Sequence, residues 1–302
     1  IDRNDPSVFQ ATASGRLESA FYGSTRSAIN ASGRLRASFH EGIDIAVLRR
    51  DASGLPQDAV YAVADGVASY INPIAGNSGY GKYIVVTHDC PAGMVYTLYA
   101  HLAKITSELY AGKHVKAGET LGIIGTTASY PIPTAHAHLH FEIGLILNRR
   151  FAAWFKAQRL KGGHGMFNGW NLIGIDPLAV FEAQQSEIDF DFFRHGRAIP
   201  PAFELLVRIA RLPNYFEHYP SFWTGECAHK SVIWLQVSEN GLPLAGRPAT
   251  PVELAKLGNR RYDVLRVDNN ALGRNGRRLV VCQNGRWRLG RNGEQWLDIL
   301  LH

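Results

Sequence analysis

The first half of the chain is written in short apolar runs of strand length. "HEGIDIAV" (40–47), "VYAVADGVASYI" (60–71), "GKYIVVTH" (81–88), "VYTLYAHL" (95–102), "GETLGIIG" (118–125) and "HLHFEIGLIL" (138–147) are rich in β-branched and aromatic residues and punctuated by Gly, Asn and Pro. This texture predicts an all-β domain. It changes at Asn148. "RFAAWFKAQRLKGG" reads as one helix with a Gly stop, "GHGMFNGWNLIG" as loop, and "DPLAVFEAQ" as a helix with Asp176 as N-cap and Pro177 in its first turn.

The remainder mixes element types. "PPAFELLVRIAR" (200–211) reads as a helix opened by proline, and "SVIWLQVSENG" (231–241) as a strand running into a turn. "TPVELAKLG" (250–258) carries a capping box, Thr250 to Glu253, with Gly258 as its stop. "RRLVVCQNGRWRLG" (277–290) reads as a hairpin about Asn284-Gly285. The expected organisation is a β domain over 1–186, with a helical insertion over about 148–175, and a smaller α+β region over 187–302.

Composition narrows the class. The chain has 302 residues, 46% hydrophobic and 19% charged, which suits a folded globular protein with a sizeable core. No apolar stretch approaches the length of a membrane span. Three cysteines, Cys90, Cys227 and Cys282, are too few for a disulfide framework or a zinc knuckle. Cys227 with Cys282 is one pairing, and three separate thiols are the alternative. The net charge of +6 sits mostly in the tail: 16 Lys and Arg face 11 Asp and Glu from Ile188 onward. That excess suits a solvated face, or one that meets an anionic wall polymer, a membrane surface or another subunit. No nucleic-acid motif accompanies it.

Candidate chemistry concentrates in "PTAHAHLHFEI" (133–143). In an extended strand His136, His138, His140 and Glu142 share one face, while Ala137, Leu139, Phe141 and Ile143 share the other. Upstream, His40 and Asp44 are four apart, neighbours on one face of a strand or a helix alike. Two imidazoles and a carboxylate make a three-ligand catalytic zinc set, with the fourth position left open. A polar strand face rich in histidine is the plain alternative. His101 ends a further strand, and His88, His114, His164, His195, His218, His229 and His302 read as exposed or locally bonded.

Taken in order, His-x-x-x-Asp in "HEGIDIA", Tyr-x-His-Leu in "YAHL", "VKAGETLGIIG" and His-Leu-His-Phe-Glu resemble the lysostaphin-type (LytM-like) zinc metalloendopeptidases. The resemblance spans roughly residues 20–147 and resumes at "GIDPLAVF" (174–181). It implies a compact antiparallel β fold with one zinc ion in a cleft. The implied ligands are His40, Asp44 and His140, with His101 and His138 as catalytic histidines that do not bind metal. It further implies hydrolysis of peptide bonds in peptidoglycan by a zinc-activated water, in an extracytoplasmic compartment, with a signal peptide already removed. There is no His-Glu-x-x-His helix, so the usual glutamate base of that peptidase class is missing and the two histidines must move the protons.

His136 lies outside the family motif and is expected to line the cleft or bond a neighbour. Glu142 is expected either to orient a ligand histidine or to be solvated. The alternative function is a catalytically silent relative serving as a wall-binding or hydrolase-activating module. Only about twenty residues precede "FYGSTR" (21–26), so the chain is expected to be an unblocked enzyme. The insertion aromatics Phe151, Trp154, Phe155, Phe167 and Trp170 form either a small core or a groove wall. The C-terminal region is expected to serve targeting or assembly. On that view a chain ended near residue 186 retains metal and small-peptide activity.

Overall fold

The strands of the first half assemble around one long central strand. The structure, a computed structural model, describes residues 4–29, 35–226, 229 and 231–302. In chain order the strands here are β1 (Thr25–Ile29), β2 (Leu35–Phe39), β3 (Ile43–Ala46), β4 (Ala59–Tyr61), β5 (Gly66–Asn72) and β6 (Tyr83–Cys90). They continue with β7 (Gly93–Ala100), β8 (Leu102–Ile105), β9 (His114–Val115), β10 (Thr120–Ile124), β11 (His138–Ile146) and β12 (Leu172–Ile175). The main sheet runs β12-β11-β7-β6-β5-β9, with β3 also paired to β11. A three-stranded sheet β4-β10-β8 packs beside it, and β1 and β2 form a separate hairpin. All of these pairings are antiparallel.

Strand β11 is buried along its whole length. Leu139 and Phe141 enter one hydrophobic cluster with Ile43, Tyr99 and Ile124, while His138, His140 and Glu142 face the other side. The expected shared face therefore holds from His138 onward. It fails for His136, which ends a short 3-10 turn (Thr134–His136) before the strand begins. The cause is local: Pro131 and Pro133 supply no backbone N–H for a ladder, so pairing starts only after them.

The segment after β11 forms α1 (Phe151–Ala157) and then returns as β12, pairing with the second half of β11. Leu172–Ile175 is thus a strand where the sequence reads as loop. Phe151, Trp154 and Phe167 are buried, and only Trp170 keeps substantial exposure, at 43%. The insertion aromatics are mainly core. Helix α2 (Pro177–Ser186) follows, with the Asp176 carboxylate accepting from the Leu178 N–H, and then α3 (Phe192–Arg197) and α4 (Asn214–His218).

The C-terminal half builds a four-stranded antiparallel sheet from β13 (Phe203–Arg208), β14 (Val232–Val237), β15 (Pro243–Pro248) and β16 (Tyr262–Val267), in the order β15-β14-β13-β16. Helix α5 (Pro251–Leu257) carries both bonds of the Thr250/Glu253 capping box. Strands β17 (Val280–Gln283) and β18 (Arg286–Leu289) form the hairpin about Asn284-Gly285. Both turn residues have positive φ, as a primed turn requires. Helix α6 (Arg291–Leu301) closes the chain and buries Trp296, Leu297, Ile299 and Leu300.

The helix expected over 200–211 is instead β13. Leu205 and Val207 point into the main core, while Leu206 packs with Val232 and Leu257 on the other side. Burial on both faces produces a continuous apolar run that carries no period, so the pattern alone reads as either element.

One hydrophobic cluster crosses residue 186. It joins Ile143, Leu145, Phe151, Trp154 and Ile175 to Phe203, Leu235, Leu244, Trp296 and Leu300. Cutting the chain there would expose this core, since each fully buried large apolar side chain is worth ~1.5–3 kcal/mol. The expectation of an active 1–186 fragment is therefore withdrawn. Cys90 and Cys282 carry free thiols, and Cys227 lies outside the described residues. Among the described residues no helix is long and apolar enough to cross a membrane.

Candidate metal centre

Strand pairing delivers the site. β3 runs antiparallel to β11 with His140 opposite Asp44, and the turn before β3 brings His40 alongside. Gly42 permits the approach: a Cβ there would sit 2.1 Å from the Phe141 carbonyl oxygen. His40, Asp44 and His140 are buried, with one ligand atom from each lying within 4.8 Å of the others. His40 Nε2 is 3.0 Å from both Asp44 Oδ1 and His140 Nδ1, and His140 Nδ1 is 3.1 Å from Asp44 Oδ1.

The outward nitrogens fix the tautomers. His40 Nδ1 lies 2.9 Å from the Phe21 carbonyl and must carry the proton it donates. His140 Nε2–H donates to Glu142 Oε1 at 2.8 Å. The inward nitrogens, His40 Nε2 and His140 Nδ1, both meet Asp44 Oδ1, so a metal ion would find two imidazole nitrogens and a carboxylate oxygen turned to one point once His140 gives up its inner proton. A buried carboxylate needs positive charge beside it. Here the Arg26 guanidinium, from β1, supplies the positive charge. Its Nη2 donates to Asp44 Oδ2 and to the Ser19 carbonyl at 2.8 Å, and lies 3.1 Å from His40 Nε2. The donor set of two imidazoles and one carboxylate fits zinc, and Arg26 stands in for the positive charge.

Glu142 is fully buried rather than solvated. Besides His140 it accepts from Tyr80 Oη at 2.8 Å and Tyr96 Oη at 2.9 Å. Burial raises its pKa, but the hydrogen bonds from His140 and the two tyrosines outweigh that and hold the carboxyl below its usual value. Burial likewise opposes the charge on Asp44, and His40, His138 and Arg26 together drive its pKa well down. Burial lowers His140 too, yet its bonds to Asp44 and Glu142 prevail and raise it to about 9.

His101 and His138 form a second pair beside this cluster, their ring centroids 4.8 Å apart and His101 5.8 Å from the His140 ring. His101 Nδ1–H donates to the Thr127 carbonyl at 2.9 Å, and His138 Nδ1–H to the His136 carbonyl at 2.7 Å. Each Nε2 is left as a lone pair. His138 Nε2 is buried without a partner, 3.6 Å from Asp44 Oδ1. Burial lowers both imidazoles, His101 to about 3 with help from His138 and His140, so both are neutral at pH 7. His101 also holds φ at 60°, a left-handed conformation uncommon outside glycine and often stored at functional sites.

His136 is not brought to this cluster. Its Nδ1 lies 3.4 Å from Gln10 Nε2 and from the Ala11 carbonyl. His88, expected exposed or locally bonded, is buried on β6 and bonded to the Asp65 carbonyl and Thr97, while His114 is exposed on β9. His164, expected exposed or locally bonded in a loop, is buried against Tyr70. Arg26, Tyr80 and Tyr96 were not picked out in the sequence. Each reaches the site only through tertiary pairing, and none belongs to a spaced motif.

The family model described as Peptidase family M23 matches residues 38–150, the stretch that holds His40, Asp44, His101, His138 and His140. This stretch is an M23 peptidase domain. The M23 domain makes the protein a metallo-endopeptidase, a hydrolase of peptide bonds. Among solved structures, the catalytic domain of the antimicrobial peptidase lysostaphin from Staphylococcus simulans is 26% identical, covers 41% of this chain and 76% of its own, and gives a TM-score of 0.29. A putative glycyl-glycine endopeptidase lytM from Ruminococcus gnavus is 31% identical, covering 35% of this chain and 39% of its own at a TM-score of 0.26. A point mutant of the catalytic domain of the prophage-encoded M23 protein EnpA from Enterococcus faecalis is 19% identical, covering 46% and 87% at 0.28. No curated protein matches the chain. The assignment rests on the match over 38–150 and on the residues that the M23 domain brings together.

Proposed function

We propose that the protein is a zinc-dependent endopeptidase that hydrolyses peptide bonds of bacterial peptidoglycan, at stem-peptide cross-links, outside the cytoplasm. His40 Nε2, Asp44 and His140 Nδ1 would hold the ion. The observation that carries this reading is the convergence of one ligand atom each from buried His40, Asp44 and His140 to within 4.8 Å of one another, with the outer ring nitrogens held by the Phe21 carbonyl and the Glu142 carboxylate. When bound, zinc supplies a Lewis acid for the scissile carbonyl and a water of lowered pKa. The peptidoglycan substrate rests on the family of the 38–150 domain.

The chain's own part is proton handling and orientation. His101 and His138, neutral and with their rings 4.8 Å apart, are the groups that would accept a proton from the attacking water, His138 through its buried and unpartnered Nε2. They return it to the leaving amine. While protonated they stabilise the negative charge developing on the carbonyl oxygen. The Thr127 and His136 carbonyls keep each ring in the tautomer this needs. Buried Glu142 holds His140 in place and raises its basicity, as carboxylates behind metal-binding histidines do. The exposed Arg286 and Arg288 side of the hairpin is open to an anionic wall polymer, a membrane surface or another subunit.

Digestion of purified peptidoglycans with direct and with glycine-bridged cross-links, read by mass of the products, tests the reading. Release of uncross-linked fragments by the parent and not by His138→Ala supports it. Binding to sacculi with no new amine or carboxyl ends would instead favour the silent binding module. The five filled motif positions, gathered into one buried site, argue for the enzyme.

A further inference from the structure

Glu41 sits between the first ligand, His40, and Gly42. Its carboxylate is buried and fully occupied, largely by groups from the C-terminal half. Oε1 is paired with the Arg277 guanidinium. Oε2 accepts from Asn240 Nδ2 at 2.7 Å and from the Gly174 N–H at 3.0 Å. Asn240 Nδ2 also reaches the Gly174 carbonyl at 2.8 Å, and Tyr22 Oη donates to that same carbonyl at 3.0 Å.

The peptide itself is clamped on both sides. At Gly174 an added Cβ would lie 2.1 Å from the Glu41 carbonyl oxygen, and at Gly42 an added Cβ would lie 2.1 Å from the Phe141 carbonyl oxygen. Two glycines thus allow β11 and β12 to close on residues 41–42. The turn that carries Arg277 also backs the β1–β2 hairpin, since a Cβ at Gly276 would meet Thr25 Oγ1 at 2.8 Å. His40 in turn is bonded through its backbone to Gly23 and Ser24, at the entrance to that hairpin.

We propose that Arg277 and Asn240 are positioning residues of the metal centre. They hold the Glu41 carboxylate and, through its peptide, the placement of His40, so the C-terminal half supports a ligand set drawn wholly from the first half. This rests on the zinc reading above. A buried ion pair of this kind is costly to form and strongly felt when one partner is removed, which suits a device that sets geometry. The bonds reach the residue next to His40 rather than its ring, so an effect at the low end of the roughly 10–100-fold range seen for groups bonded directly to ligands is expected.

The test is the zinc dissociation constant of the full-length protein, measured by competition with a chelator, alongside the melting temperature of the zinc-free form. Arg277→Met is expected to weaken zinc binding by about 10-fold or more. Arg277→Lys, which keeps the charge, should recover most of the loss. Arg261→Ala removes a surface arginine paired with Asp298 and Glu294 and should leave the constant unchanged. A parent-like zinc constant in Arg277→Met, even with a lowered melting temperature, overturns the proposal. If Arg277→Met does not fold, Glu41→Gln carries the same comparison: weaker zinc binding supports the proposal and parent-like binding overturns it. A parent protein that binds no zinc would instead sink the zinc reading itself.

Discussion

Glu142→Gln is the sharpest perturbation of the ligand geometry, because it changes one atom of a buried group that touches no other ligand than His140. The native carboxylate receives three hydrogen bonds, from Tyr80, Tyr96 and His140. A glutamine has only one acceptor oxygen and must turn its NH2 toward one side. If the NH2 faces His140, the imidazole must accept, and its proton moves to Nδ1, toward the metal position. If it faces Tyr96, the bond to His140 survives but loses the charge that makes the ring a strong ligand. Either way zinc affinity should fall by about 10–100-fold, or roughly 1.4–2.7 kcal/mol.

Tyr96→Phe is the comparison, since it removes one donor and leaves the His140 bond intact; its effect should stay within a few-fold. The assay is zinc competition with a chelator, followed by turnover at saturating zinc. Activity lost at limiting zinc should return substantially when zinc is raised. A Glu142→Gln protein with the parent's zinc constant would refute the reasoning and reduce Glu142 to packing.

His101→Ala and His138→Ala should each abolish turnover while zinc content stays near one per chain; loss of zinc would make the altered residue a ligand. His136→Ala, remote from the cluster, should be mild, and a defect as deep as that of His138→Ala would show the register of the motif to be wrong. Arg26→Ala should bind zinc more tightly than the parent, because a guanidinium no longer contends for Asp44 and His40; weaker binding would mean that Arg26 supports the ligands instead. A chain ended near residue 186 should be insoluble or molten by near-UV circular dichroism, and a cooperatively melting fragment would show that the core shared with Phe203, Leu235 and Trp296 is dispensable.

The β fold was legible from its short apolar runs, and the candidate site from its spacing. His40, Asp44, His101, His138 and His140 stand in spaced motifs, and alternation along 138–143 separates a polar face from a core face. Glu142 could be placed on the right face but not assigned, because its partners Tyr80 and Tyr96 come from a loop and from β7. Elements with strong end signals were readable too: the Thr250/Glu253 cap, the Asp176-Pro177 start and the Asn284-Gly285 turn. Where burial is two-sided, as at Leu205-Leu206-Val207, the period vanishes and the element type with it. The Glu41–Arg277 pair was invisible for a different reason. It joins residues more than two hundred positions apart, and although Glu41 lies inside the His40/Asp44 motif, nothing around Arg277 marks it as the partner.

The most direct measurement is anomalous diffraction at the zinc absorption edge from crystals of the zinc-loaded protein. One strong peak per chain is expected, within bonding distance of His40 Nε2, an Asp44 carboxylate oxygen and His140 Nδ1, with the Arg26 guanidinium displaced from between them. A peak coordinated by His138 or His101, or no peak between these three residues, would contradict this assignment.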